Sequence, residues 1–197
     1  MKKWFSKIFH SYYFWIGILV FLIIGVVIFF YPYVYKQAFL NNYNNKNLGF
    51  SFAYPKSWEE LGKRESGMHY PDADIIFVNK KNQDINFGIR IKDIDGKEID
   101  VSKSIEELRN TFSKKLDNFK EIEAKESKVD GLTAVVFSYN YSVKKNLQGD
   151  KWLGSQKQVL FIKDKKLYAL IFTSPQELFT KSSRDFDIIF SSFQFND

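Results

Sequence analysis

Twenty consecutive residues, Tyr12 to Tyr31 (YYFWIGILVFLIIGVVIFFY), carry no charged side chain. A helix of that length rises roughly 30 Å, the thickness of a bilayer's hydrocarbon core. Apolar on every face, it has no place on the surface of a water-soluble domain, so the spacing predicts one transmembrane helix that anchors the rest of the chain. Lys2, Lys3, Lys7 and the terminal amine precede the run, and only Lys36 comes closely after it. That asymmetry predicts a cytoplasmic N-terminus and a C-terminal domain outside the cell membrane. Trp4, Phe5, Tyr12, Tyr13 and Trp15 on one side, and Tyr31, Tyr33 and Tyr35 on the other, read as interfacial aromatics. Pro32 stops the helix. A cleaved signal peptide would show a shorter apolar region and small residues at its end. Here Phe30, Tyr31, Pro32 and Tyr33 are bulky, so an uncleaved signal anchor is expected. A lipoprotein anchor needs a cysteine, and the chain has none.

The net charge of +6 is largely a topology signal, because residues 1–36 hold four lysines and no acids and account for +4 of it. The remaining +2 is too little for a nucleic-acid surface. Without cysteine there is no disulfide, no thiolate nucleophile and no zinc–thiolate site. The 21 Phe and 11 Tyr predict an aromatic-rich core.

The chain divides into three regions: a cytoplasmic stub and anchor over 1–36, an Asn-rich linker over 37–47 containing NNYNNKN, and an extracytoplasmic domain over 48–197. In the domain, Phe50, Phe52 and Tyr54 alternate up to Pro55, and Ile75 to Val78 form a short apolar run. Ile85, Phe87, Ile89 and Ile91 alternate with polar neighbours at a period of two. A strand wet on one face favours an antiparallel sheet. Ser104-Ile105-Glu106-Glu107 fits a capping box, with Ile105, Leu108, Phe112 and Leu116 at helical spacing. Glu121 to Lys128 and Leu132 to Val143 flank Asp130-Gly131, a hairpin signal. Gln156 to Ile162 and Leu167 to Thr173 form a further pair across residues 163–166. Ser174, Pro175 and Glu177 open a last helix, whose stripe is Leu178, Phe179, Phe186, Ile189, Phe190 and Phe193. This order predicts an α+β domain with a central antiparallel sheet packed by helices.

Gly49-Phe50-Ser51-Phe52-Ala53-Tyr54-Pro55-Lys56-Ser57-Trp58 resembles the opening strand of PsbP-like domains. Val129-Asp130-Gly131-Leu132-Thr133-Ala134 is similar to their central hairpin, and Phe186, Ile189, Ser192 and Phe193 to their closing helix. The resemblance covers roughly Leu48 to Phe195. It implies the α/β/α sandwich of the PsbP/Mog1/DcrB-like group, whose members serve as accessory or binding proteins without a shared catalytic set. The plant member is an extrinsic subunit of photosystem II. The anchor sets this chain apart from it, so no photosynthetic role is carried over. Bacterial relatives are often lipoproteins, and the missing cysteine separates this chain from those too.

The residues themselves offer little chemistry. His10 lies at the anchor's cytoplasmic edge, leaving His69 as the domain's imidazole. A Ser-His-Asp arrangement would need His69 with Asp72 or Asp74, yet no nucleophile elbow supplies the serine. Asp93, Asp95, Glu98 and Asp100 cluster, but Lys92, Lys97 and Lys103 neutralise them and the spacing misses a calcium loop, so a turn is expected rather than a metal site. Trp152, between Gly149 and Gly154, reads as a loop residue able to contact a partner; Trp58 and His69 complete the candidate partner contacts. Trp58 also reads as a plug over the sheet end, and Tyr139 and Tyr141 as core. The expectation is a non-enzymatic, membrane-tethered accessory or binding domain for a protein or envelope component, needing no cofactor and binding no nucleic acid. The alternatives are a surface hydrolase using His69 with nearby acids, or a structural subunit of a membrane complex.

Overall fold

The computed structural model describes residues 18–26, 28, 31, 38–61, 73–95, 98–144 and 151–196. The chain divides into two compact units, 1–41 and 42–197. In the first, residues 18–26 are helical and expose Leu19, Phe21 (75 %) and Leu22. Among the described residues no helix is long and apolar enough to cross a membrane. The expected span from Tyr12 to Tyr31 falls partly outside the described residues, at 12–17, 27, 29 and 30.

The second unit is built on a seven-stranded sheet whose pairings are all antiparallel. Its strands are β3 (Trp58–Leu61), β4 (Ile75–Asn79), β5 (Asn82–Asp93), β6 (Asp117–Val129), β7 (Leu132–Lys144), β8 (Lys151–Lys163) and β9 (Lys166–Pro175). The spatial order is β3-β4-β5-β9-β8-β7-β6. Two tight turns set the long hairpins. Asp130 (φ 46°) with Gly131 (φ 78°), and Asp164 (φ 50°) with Lys165 (φ 60°), supply the paired left-handed residues that match strand twist. The strained Lys165 is held because its carbonyl accepts the Ile94 N–H at 2.8 Å.

Alternation then sends neighbouring residues to opposite faces. One face gathers Phe77, Phe87, Ile89, Val136, Val159, Phe161, Leu170 and Phe172 into a single core. Over it lie helix α2 (Phe179–Ser192) and a small sheet, β1 (Leu40–Asn45), β2 (Phe50–Pro55) and β10 (Gln194–Phe195), in the order β1-β2-β10. Phe186 and Ile189 of α2 are fully buried, and Phe186 stacks on Phe172 at 5.5 Å. The other face carries helix α1 (Val101–Lys115), whose Ile105, Leu108 and Phe112 cover Val135, Phe137 and Tyr139. No residue of α1 is fully buried.

Four local expectations need correction. The NNYNNKN stretch, read as linker, is mostly strand β1: Tyr43 stacks on Phe52 at 4.9 Å, and the Asn45 side chain accepts the N–H groups of Asn47 and Leu48. Helix α1 starts at Val101 rather than at a Ser104 cap. Asp100 is the cap, accepting the Lys103 N–H at 2.9 Å, because its carboxylate satisfies an orphan donor one turn earlier. Ser174 does not cap the last helix. It is buried in β9 and donates its hydroxyl to the Pro175 carbonyl, and a 3₁₀ turn (Gln176–Leu178) intervenes before α2. Trp152 lies in β8, not in a loop, paired with Val143.

Candidate functional site

Of the three candidate contact residues, Trp58 is a core side chain. It is 1 % exposed and donates its Nε1–H to Asp185 Oδ2 of α2 at 2.8 Å, so it turns no face to a partner. The carboxylate satisfies the indole donor that burial would otherwise orphan. His69 and Asp72 lie outside the described residues. Asp74, the other acid considered beside His69, accepts the Ile91 N–H at 2.7 Å and so braces β5. Of the acidic cluster, Asp100 caps α1, and the described residues bring no three metal-ligating groups together.

Trp152 is half-buried at the start of β8 and meets Tyr141 edge-on at 5.8 Å. Its ring lies over Gly154, two residues on along the same face. A Cβ at Gly154 would come within 2.1 Å of that ring, so the glycine makes the packing possible. Val143 and Leu153 beside it remain about half exposed, leaving an aromatic and aliphatic sheet end.

From that end a strip of polar side chains runs along the α1 face of the sheet. Strand register sets Phe137 opposite Gln158, Tyr139 opposite Gln156, and Gln156 opposite Thr173. Gln158 donates from Nε2 to Gln156 Oε1 at 2.6 Å and to the Tyr139 hydroxyl at 3.2 Å. The Tyr139 hydroxyl donates in turn to Gln156 Oε1, and Gln156 Nε2 donates to Thr173 Oγ1 at 3.0 Å. Asn86 of β5 continues the strip, its Nδ2 bonded to the Asp84 carbonyl. Burial pushes the Tyr139 hydroxyl well above the ordinary tyrosine range, and Tyr141 adds to this against the opposing bond from Gln158. The phenol is therefore a neutral hydrogen-bonding group at any physiological pH.

Asn86, Gln156, Gln158 and Thr173 floor a groove of about 520 Å³, walled by Leu108 and Phe112 of α1 and by Leu160 and Ile171 of the sheet. No single stretch of sequence announces the strip. Gln156 and Gln158 share β8, but Tyr139, Thr173 and Asn86 arrive from three other strands. A residue-by-residue reading therefore missed it. The only signal available was an amide at alternate positions, Gln156 and Gln158, where an apolar strand face was expected.

A helix-flanked antiparallel sheet of this order defines the PsbP/Mog1 class of fold. The chain belongs to the PsbP-like protein family, whose model matches residues 34–195. Solved structures of similar fold include cyanobacterial PsbP (CyanoP) from Synechocystis, with TM-score 0.59 and 19% identity over 80% of this chain and 93% of that one. LpqN of Mycobacterium tuberculosis, involved in cell envelope biogenesis, aligns with TM-score 0.56 and 13% identity over 82% and 94%. The Ran-binding protein Mog1p of Saccharomyces cerevisiae aligns with TM-score 0.54 and 8% identity over 80% and 96%. A sequence comparison with curated proteins found no match.

Proposed function

We propose that the chain is a membrane-tethered, non-enzymatic accessory domain, with its N-terminus cytoplasmic and residues 42–197 outside. The domain binds a protein or an envelope component there. The observation that carries the tether is the wholly apolar run around residues 18–26, which is helical and leaves large side chains such as Phe21 and Leu22 exposed. An apolar helix exposed all round is stable only in lipid or against another apolar surface. The lysines before it fix the direction of insertion.

Support for a binding rather than catalytic role comes from the family and from the named uses of similar folds, one in Ran binding and one in envelope biogenesis. The sheet end formed by Trp152, Val143 and Leu153 is the surface proposed for the partner, since Trp is among the residue types enriched at the hot spots of protein interfaces.

Protease added to intact cells tests the placement: the domain should be shaved off while a short N-terminal fragment stays in the membrane. A domain protected inside the cell, or one found free in the medium, would overturn it. Trp152→Ala should then abolish recovery of any partner that copurifies with the wild-type chain from solubilised membranes.

A further inference from the structure

We propose that the groove beside α1 is a binding site for a small ligand carrying a secondary amide, held through its N–H and C=O by the Gln156–Gln158–Thr173 floor. Folding alone gives little reason for this floor. On the opposite face of the same strands, Val159, Leu170, Phe172 and Phe87 join one apolar cluster, and the buried Ser155 and Ser174 there each have a hydrogen-bond partner. Replacing such packing by buried amides costs stability unless each is satisfied.

The hydrogen-bond count of the floor is incomplete in one specific way. Both Nε2 hydrogens of Gln158 are used, on Gln156 and on Tyr139. Gln156 Oε1 accepts twice, and one of its amide hydrogens goes to Thr173. Counting bonds between described residues, that leaves as acceptors Gln158 Oε1 and Asn86 Oδ1, and as donors the second amide hydrogens of Gln156 and Asn86 and the Thr173 hydroxyl. Gln158, Asn86 and Thr173 are each more than nine-tenths buried and all line the groove. Among the described residues no side-chain polar atom is both sealed from solvent and without a partner. The unmet demand is thus paired and neutral: a donor for Gln158, and an acceptor for Gln156 or Thr173 next to it.

A secondary amide meets that demand with one rigid group, whose N–H and C=O point in opposite directions. A small substituent on the acyl side of such an amide, for example a methyl, is apolar, as are Leu108, Phe112 and Ile171. No carboxylate lines the groove among the described residues. The volume of about 520 Å³ lies within the roughly 300–1,000 Å³ usual for small-ligand sites. Acetamido sugars and short peptides share this chemistry, and the test separates them. The proposal needs no membrane tether, so a failed protease experiment leaves it standing.

Calorimetry on the full chain in lipid nanodiscs, with empty nanodiscs as blank, would use three probes: N,N′-diacetylchitobiose, N-acetyl-alanyl-alanine methylamide, and cellobiose as the sugar without an amide. At least one amide probe should bind, and cellobiose should not. Binding by chitobiose alone names the saccharide, and by the capped peptide alone the peptide. Gln158→Leu should weaken that binding at least about tenfold without lowering the melting temperature. The side-chain NH₂ signals of Gln156 and Gln158 should shift on titration of the wild-type chain, a readout that requires no variant. Failure of both amide probes, binding of cellobiose as tight as chitobiose, or amide signals that stay in place would each overturn the assignment.

Discussion

On the α2 side of the seven-stranded sheet, nineteen buried side chains of the described structure join in one aromatic cluster. On the α1 side the apolar cluster holds three buried side chains among the described residues, Val135, Phe137 and Tyr139, and the covering helix buries none of its residues fully. Both faces are made by the same strands. The contrast teaches that stability and recognition can be separated by parity: residues of one parity along β5, β8 and β9 close the core, while those of the other leave a groove with a polar floor.

The largest test of this contrast sets one helix against the other. Phe186→Ala in α2 should cost about 3–5 kcal/mol in urea unfolding, because a fully buried ring leaves a cavity. Phe112→Ala in α1, half-buried, should cost about 2 kcal/mol or less. Equal losses would break the comparison.

Alkaline titration sharpens it next. Tyr139 is held above the ordinary tyrosine range chiefly by burial, so as pH climbs past about 10 the unfolded chain releases this proton while the folded chain keeps it. The stability present below that pH is then lost at up to about 1.4 kcal/mol per pH unit. Tyr139→Phe should flatten this alkaline limb, as tracked by melting temperature against pH.

Smaller effects are expected elsewhere. Asp100→Ala removes the α1 cap and should cost about 1 kcal/mol, with the loss of helicity confined to that helix in hydrogen exchange. Gln158→Leu should move unfolding stability by no more than about 0.5 kcal/mol, or raise it, since an apolar isostere replaces a partly satisfied amide. A loss as large as that of Phe186→Ala would mean that the strip is structural. Gly154→Ala should displace the Trp152 ring, read as a change in tryptophan emission, with little change in stability because the ring can turn away.

Much of this fold was legible in advance where one element carries its own period. Ile85, Phe87, Ile89 and Ile91 alternate because β5 is wet on one side, and Asp130-Gly131 turns a hairpin because both residues take positive φ. The stripe of Phe186 and Ile189 likewise faces the sheet. Reading failed where an element is defined by what lies across from it. A lone Tyr43 among asparagines has no period, yet its ring completes the aromatic core and makes β1 a strand. The glycines that flank Trp152 point to a loop, although Gly154 is there to make room for the indole within β8. Trp58 ended up facing Asp185, 127 residues away, a pairing no local pattern could announce.

By itself, the order of residues determined the apolar N-terminal run, the antiparallel strands and hairpins, and the aromatic composition of the core, because each rests on spacing along one segment. Which face of the sheet would close and which would stay open was decided only when seven strands came into register. Asn86, Gln156, Gln158 and Thr173 come from three separate strands, and the register between strands alone makes them one floor.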